Sequence, residues 1–376
     1  MRATRPVATM SLALAAATVL AAAPVLAQGP GQLTPPAPQQ PAPTPPAPRP
    51  EPKPAAKPAA KATPRRPAAP AQAAPAAPSA GAAAPPSSSA REPDLAYGAY
   101  QRGYYMSAFS IATRRVDEKK DVKAMTLLGE LYANGYGVAH DDKKAAEWYQ
   151  LAADRGDREA MFALAMFNMQ GRIGAVNREQ AAKLLASAAK LGQVAAAYDL
   201  GLLYLEGQLF PQDFTRAAEL FRDAAQAGNP EAQYALATLY KEGRGVPKDL
   251  NEAARLLAAA AAADNTDAQV EYAIALYNGT GVTRDEPAAA QLLKKAARKG
   301  NPVAQNRLAN VLAVGRGLPA DPVEAIKWHI IAKAGGVSDV PLDGFMQQQS
   351  PEVRAAGEKA AKPWLDALKE ARDQRS

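Results

Sequence analysis

The chain has no cysteine at all. That absence removes disulfides, thiolate nucleophiles, Cys-based zinc sites and a lipid attached at a cleavage-site thiol. Histidine is nearly absent too, with only His140 and His329 present. His140 falls in a predicted turn and His329 beside Trp328 on a predicted helix, and a single histidine in either setting reads as a packing or surface residue. No catalytic residue, cofactor-binding residue or metal ligand is therefore assigned, and no cofactor is expected. Net charge of one sign is also missing from most of the chain. The overall charge is +7, but residues 1–93 hold nine Lys or Arg against Glu51 and Glu92, leaving 35 of each sign from Asp94 to Ser376. That part exerts no net basic pull on nucleic acid, so no nucleic-acid partner is expected.

An apolar run long enough to span a bilayer is lacking as well. The longest lies near the N-terminus, where Arg2 and Arg5 precede an apolar stretch from Val7 to Ala23, and Val25-Leu26-Ala27 stand before Gln28. The stretch is shorter than the ~20 residues a spanning helix needs, and the pattern is that of a secretory signal peptide over residues 1–27. Export without disulfides suits a bacterial periplasm. The alternative is an inner-membrane anchor formed by an uncleaved signal. From Gln28 to Pro93 there are 21 of the 33 prolines, set among Ala, Gln and Ser. This segment reads as a disordered linker, which at ~3.1 Å per residue in polyproline II would reach on the order of 200 Å. Its Arg49, Lys53, Lys57, Lys61, Arg65 and Arg66 are candidates for peptidoglycan contact. A spacer and a low-complexity tail without a specific partner are both open readings.

What the chain has in abundance is repetition. Six units of 36 residues start at Asp121, Asp157, Gln193, Asn229, Asn265 and Asn301, covering 121–156, 157–192, 193–228, 229–264, 265–300 and 301–336. Four positions are identical in all six: Ala at the fourth, twenty-fifth and thirty-second, and Gly at the fifteenth. Alanine at helical spacing lets two backbones approach closely, and glycine supplies the left-handed conformation that ends a helix. Position twenty-one is Asp or Asn in every unit, suited to cap a second helix. Each unit thus predicts helix, turn, helix, and neither helix can bury its apolar face alone.

The stretch from Ala232 to Leu257, AQYALATLYKEGRGVPKDLNEAARLL, resembles a unit of the Sel-one-like repeat (SLR) family, relatives of the tetratricopeptide repeats. The resemblance covers residues 121–336. Units two and three depart from it: Ile173 and Leu209 stand where the second Gly of the GxG turn is expected, unit two has Asn168 in place of the aromatic, and unit three has Pro211. The fold class expected is all-α, a right-handed α/α superhelical solenoid. Residues 94–120 are expected to form an N-terminal half repeat, with Tyr100 to Lys120 as a second helix. Residues 337–376 are expected to hold a C-terminal capping helix opened by Ser350 and Pro351, with Val353, Ala356, Ala360, Trp364 and Leu368 as its apolar stripe and Pro363 as a kink.

Positions six, ten and thirteen of the first helices make a second apolar face in units two to five, and by the resemblance this face lines the groove. It carries Phe162, Met166, Met169, Tyr198, Leu202, Leu205, Tyr234, Val270, Ile274 and Tyr277, with polar breaks at Asn306 and Asn310 in unit six and at Thr126 and Glu130 in unit one. A Met- and aromatic-rich strip polar at both ends suits a peptide groove, and inter-repeat core is the other reading. Bordering Glu159, Asp199, Glu231 and Asp267 favour a partner with basic character. The function the resemblance implies is a non-enzymatic protein–protein interaction scaffold of the bacterial cell envelope, monomeric, binding a peptide or protein partner of unknown identity, with regulation of a sensor, secretion or wall-synthesis complex among the implied roles. Two alternatives stand beside it. One is a serine enzyme acting on peptidoglycan or a β-lactam, from the SxxK match Ser187-Ala188-Ala189-Lys190, which lacks an accompanying KTG box. The other is a cell-wall tether through the basic Pro-rich linker.

Overall fold

The computed structural model describes residues 94–373, and the expected signal peptide and linker lie outside them. The described residues form sixteen helices and no strand. After α1 (Leu95–Gln101) and α2 (Tyr105–Lys119), the six units supply α3 (Val122–Asn134) with α4 (Asp142–Ala153), α5 (Arg158–Gln170) with α6 (Arg178–Lys190), and α7 (Val194–Glu206) with α8 (Phe214–Gln226). Then come α9 (Pro230–Glu242) with α10 (Leu250–Ala262), α11 (Thr266–Asn278) with α12 (Glu286–Arg298), and α13 (Pro302–Val314) with α14 (Pro322–Ala334). The chain closes with α15 (Val340–Gln348) and α16 (Pro351–Asp373).

The boundaries follow from side chains at fixed repeat positions. The residue at position twenty-one, from Asp141 to Asp321, accepts from a backbone N–H in the first turn of the second helix in every unit. Position one does the same for the first helix, and even Gln193 reaches the Ala196 N–H at 2.8 Å. Each such cap contributes ~1 kcal/mol. The glycine at position fifteen ends each first helix in the left-handed region, with φ between 66° and 77°. Position thirty-six holds glycine at positive φ in five units. Unit four has Asp264 there (φ 73°), tied to Lys295 at 2.8 Å and Lys299 at 2.7 Å. Hydrogen bonds from those two lysines hold its carboxyl well below the usual carboxylate range.

Each helix packs on its neighbours in sequence, so the array is an all-α solenoid. The eighteen invariant alanines lie inside that stack, and none is more than 3% exposed. The second glycine of the GxG turn explains why units stack in one register. A Cβ on Gly281 would stand 1.9 Å from the Leu250 carbonyl oxygen, at the start of the preceding second helix, and one on Gly245 would stand 2.2 Å from the Phe214 carbonyl carbon. Ile173 and Leu209 cannot make that approach. Ile173 is exposed, and unit three closes its turn with Phe210 stacked on Tyr204 at 5.1 Å.

Each end holds one helix more than expected. The N-terminal segment is a helix pair: α1, capped by Asp94, precedes α2, and Gly137 of unit one approaches the start of α2 at Tyr105 and Met106, as Gly245 approaches Phe214. Tyr100 ties the pair to unit one by donating to Glu130 at 2.5 Å. At the C-terminus, α15 intervenes before the last helix, with Asp339 as its N-cap. The buried register of α16 runs through Gly357 and Ala361, whereas Ala356 and Leu368 of the expected stripe are exposed. The helix lies so close to α14 that a Cβ on Gly357 would stand 2.6 Å from Ile326 Cγ2, which only glycine permits. Trp364 meets Trp328 edge-on at 5.2 Å, and Pro363 lies inside the continuous helix.

A candidate binding trough along the first helices

Consecutive first helices leave hollows between them, floored by the second helix that separates them. Between α5 and α7 the lining is Met166, Met169, Leu185, Asp199, Leu202, Leu203 and Glu206. Between α11 and α13 it is Ala273, Ile274, Tyr277, Asn278, Leu293, Arg307, Asn310, Val311 and Val314. The hollow between α9 and α11 is lined by Lys241, Leu257, Glu271, Ile274 and neighbours. In repeat numbering these are one site seen three times. The floor is the leucine at position twenty-nine (Leu185, Leu257, Leu293), and the facing pair is position thirteen of one unit with position seven of the next.

That pair decides what each hollow is. In units four and five it is Lys241 and Glu271, joined by an ion pair of 2.8 Å, and the cavity is about 80 Å³. In units two and three it is Met169 and Asp199, and only about 10 Å³ is left. In units five and six it is Tyr277 and Arg307, and the cavity opens to about 300 Å³. Val314, at the edge of this hollow, the largest of the three, is 67% exposed. Arg307 is exposed and has no ion pair among the described residues.

The ten strip residues divide between core and hollow. Met166, Tyr198, Leu202 and Leu205 are buried in one core cluster, and Phe162, Met169 and Tyr234 pack against it half-buried. Val270 is buried in the C-terminal cluster, against which Ile274 and Tyr277 pack. Met166, Met169, Leu202, Ile274 and Tyr277 line hollows, whereas position six sits between stacked helices. The widest hollow stands where the strip was expected to end, bordered by Asn310. Asn310 and Asn306 both donate to the α15 cap Asp339 at 2.9 Å, so the polar break secures the C-terminal end. Positions seven and fourteen were missed as a set, although they share a helical face with position ten at i, i+3 and i+7 spacing.

Asp199 is the electrostatic outlier of the trough. It is 5% exposed, and neither carboxylate oxygen has a hydrogen-bond partner. Burial alone pushes its carboxyl up to about 7. Burial also pushes the Tyr198 and Tyr234 phenols up to about 12, so both hydroxyls stay protonated, with the Asp199 and Glu231 charges adding to the effect at Tyr198. Glu206, on the same face of α7 as Asp199, has no cationic partner among the described residues, whereas Glu242 at the equivalent position meets Arg244 at 3.2 Å.

The remaining chemical candidates sit elsewhere. His140 is exposed in its turn, 3.1 Å from Asp142. His329 is buried and its Nε2 lies 2.8 Å from Asp343 Oδ1, which joins α14 to α15. Ser187 is exposed on α6 and donates to the Lys183 carbonyl at 3.0 Å, one turn back on its own helix. Lys190 is exposed one turn further along. No helix among the described residues is long and apolar enough to cross a membrane.

The Sel1 repeat model matches six consecutive segments, 122–157, 158–193, 194–229, 230–265, 266–301 and 302–337. Two solved structures are similar. One is a protective antigen present in uropathogenic Escherichia coli strains and displaying an SLR fold, 26% identical, with a TM-score of 0.62 over 72% of this chain and 62% of that one. The present chain thus spans less than two thirds of that protein. The other is a Sel1 repeat protein from Oxalobacter formigenes, 26% identical, with a TM-score of 0.55 over 65% of this chain and 97% of that one. Comparison with curated proteins found no match.

Proposed function

Since this chain belongs to the Sel1 repeat family, whose members are generally protein–protein interaction scaffolds, we propose that it holds a segment of a partner protein in the trough along its first helices. The observation that carries this reading is the hollow between α11 and α13. Its volume of about 300 Å³ reaches the lower end of the range for ligand-binding clefts, ~300–1,000 Å³. An apolar lining of Ile274, Leu293 and Val311 beside one uncompensated guanidinium suits an apolar side chain with a carboxylate next to it. Fold alone names no partner, so the reading rests on the side chains of this hollow.

The sequence pattern of residues 1–27 supports export, and the composition of 28–93 supports a spacer between envelope and solenoid. Export predicts a mature chain starting at or near Gln28. N-terminal sequencing of the protein from a periplasmic fraction checks this, and an intact Met1 refutes it. For the binding reading, affinity capture with the full chain is compared with a Tyr277→Ala, Val314→Lys double variant by quantitative mass spectrometry. Capture that depends on the trough disappears in the variant while the thermal melt is unchanged. Equal recovery by both proteins refutes the trough as the binding surface.

A further inference from the structure

The three hollows share one frame, so a residue missing from one of them can be read from another. In the hollow of units four and five, the acid at position seven (Glu271) has its cation supplied from within the chain, by Lys241 at position thirteen of the preceding unit, 2.8 Å away. In the hollow of units two and three the acid is present as Asp199, but position thirteen is Met169. Both oxygens of Asp199 are buried without a partner, and Glu206 lines the same hollow. A buried polar group left unsatisfied is destabilising, so the arrangement is incomplete as it stands.

We propose that the hollow between α5 and α7 is a receptor for a lysine side chain of the bound partner segment, its ammonium group paired with Asp199 in the place that Lys241 takes beside Glu271. This rests on the scaffold reading above and adds one side-chain specificity to it. Size argues for lysine over arginine. The cavity of about 10 Å³ corresponds to roughly one water-sized sphere, which an ammonium group fills and a planar guanidinium does not. The cavity takes the ammonium group alone, and the four-carbon stem of lysine is left to lie against the half-buried, apolar Met169. Methionine has the flexibility to yield at an entrance. Glu206, half-buried at the hollow, adds a second negative charge on the approach to Asp199. The pairing costs less here than burial of a free ion pair, because the protein has already desolvated the carboxyl.

The test uses the full chain carrying ¹³C-labelled Asp and Val. Three peptides are titrated in: Ac-Ala-Ala-Lys-Ala-Ala-NH₂ and its arginine and norleucine analogues. The lysine peptide is expected to move the Asp199 carboxyl resonance toward its ionised position and lower its titration midpoint by at least about one pH unit, a tenfold preference for the ionised form. The other two leave it in place. Met169→Lys is expected to lower the midpoint without peptide and to abolish the response to it, because the cation is then supplied in cis. Asp199→Asn removes the response while the spectrum stays dispersed. An Asp199 signal indifferent to the lysine peptide, or moved equally by all three, overturns the assignment, as does Met169→Lys with an unchanged midpoint. A separate titration with Ac-Ala-Leu-Asp-Ala-NH₂, read at the Val311 and Val314 methyl groups, reports on the scaffold reading. Methyl shifts with a silent Asp199 overturn the lysine receptor alone, and silence at both places counts against both.

Discussion

Asp199→Asn is expected to stabilise the protein, and to do so only above the pH at which the unfolded chain's aspartate ionises. In the folded state the proton stays on Asp199 up to about pH 7, whereas in the unfolded chain an aspartate releases it near ~3.9. Between those values the folded state binds one proton more than the unfolded state, so wild-type stability falls as pH rises, by ~1.4 kcal/mol per unit. Over about three units the loss amounts to ~4 kcal/mol, complete above the folded value and absent below the unfolded one. Asparagine fills the same volume without a charge. The advantage of the variant is therefore near zero at about pH 4, grows through pH 5 and 6, and levels off above about pH 7. Urea unfolding of both proteins at several pH values measures this, and taking the difference cancels the other titrating groups. Because repeat arrays open locally, amide exchange over α5 to α8 shows whether the effect resides where Asp199 lies. A difference that is flat with pH, or a wild type that gains on the variant as pH rises, would refute the reasoning.

Gly281→Ala places a Cβ 1.9 Å from the Leu250 carbonyl oxygen at a φ of 69°, whereas at Gly228, with φ 87°, nothing lies within 4 Å. Denaturant unfolding is expected to show a cost above ~2 kcal/mol for Gly281→Ala and ~1–2 kcal/mol for Gly228→Ala, and equal costs would contradict the stacking role of the second turn glycine. Gly357→Val drives side-chain atoms into Ile326, so α16 should lift and the near-ultraviolet circular dichroism of the Trp328–Trp364 pair should fall, with ~1–3 kcal/mol lost to overpacking. Lys241→Met recreates at Glu271 the arrangement seen at Asp199. Urea unfolding is expected to show a loss of ~0.2–1 kcal/mol from removal of this half-exposed ion pair, and unchanged stability would mean that the Lys241 pair contributes nothing there.

Most of the fold was legible because the chain states it six times. The N-cap at position twenty-one, the glycine at fifteen and the alanines at four, twenty-five and thirty-two each answer a local steric or hydrogen-bonding need, and local needs are written in local sequence. The ends were harder. Asp339 with Pro341 after it is an N-cap signal for α15, and Asp94 is one for α1, but both helices lie outside the period and no repeated frame singles them out. Gly357 carries no apolar signal, yet its missing side chain is what lets α16 meet Ile326. For the site, the apolar second face at positions ten and thirteen was visible, but its exposure was not. Exposure depends on the facing residue at position seven of the next unit, thirty positions away. Met169 with Asp199 and Tyr277 with Arg307 look alike as single helices and differ only as pairs. The hollow in units two and three is consequently almost filled, and the open one stands in units five and six.

The central claim is that the hollow between α11 and α13 is where a partner segment seats. Its most direct measurement is site-specific photocrosslinking in cells, with benzoylphenylalanine at Val314 in the hollow and, for comparison, at Leu151, which is exposed on the second helix α4. The account predicts one dominant adduct from position 314 that disappears when Ile274→Lys is added and is absent from position 151. Adducts of equal yield from both positions, or an adduct from 314 that survives Ile274→Lys, would contradict it.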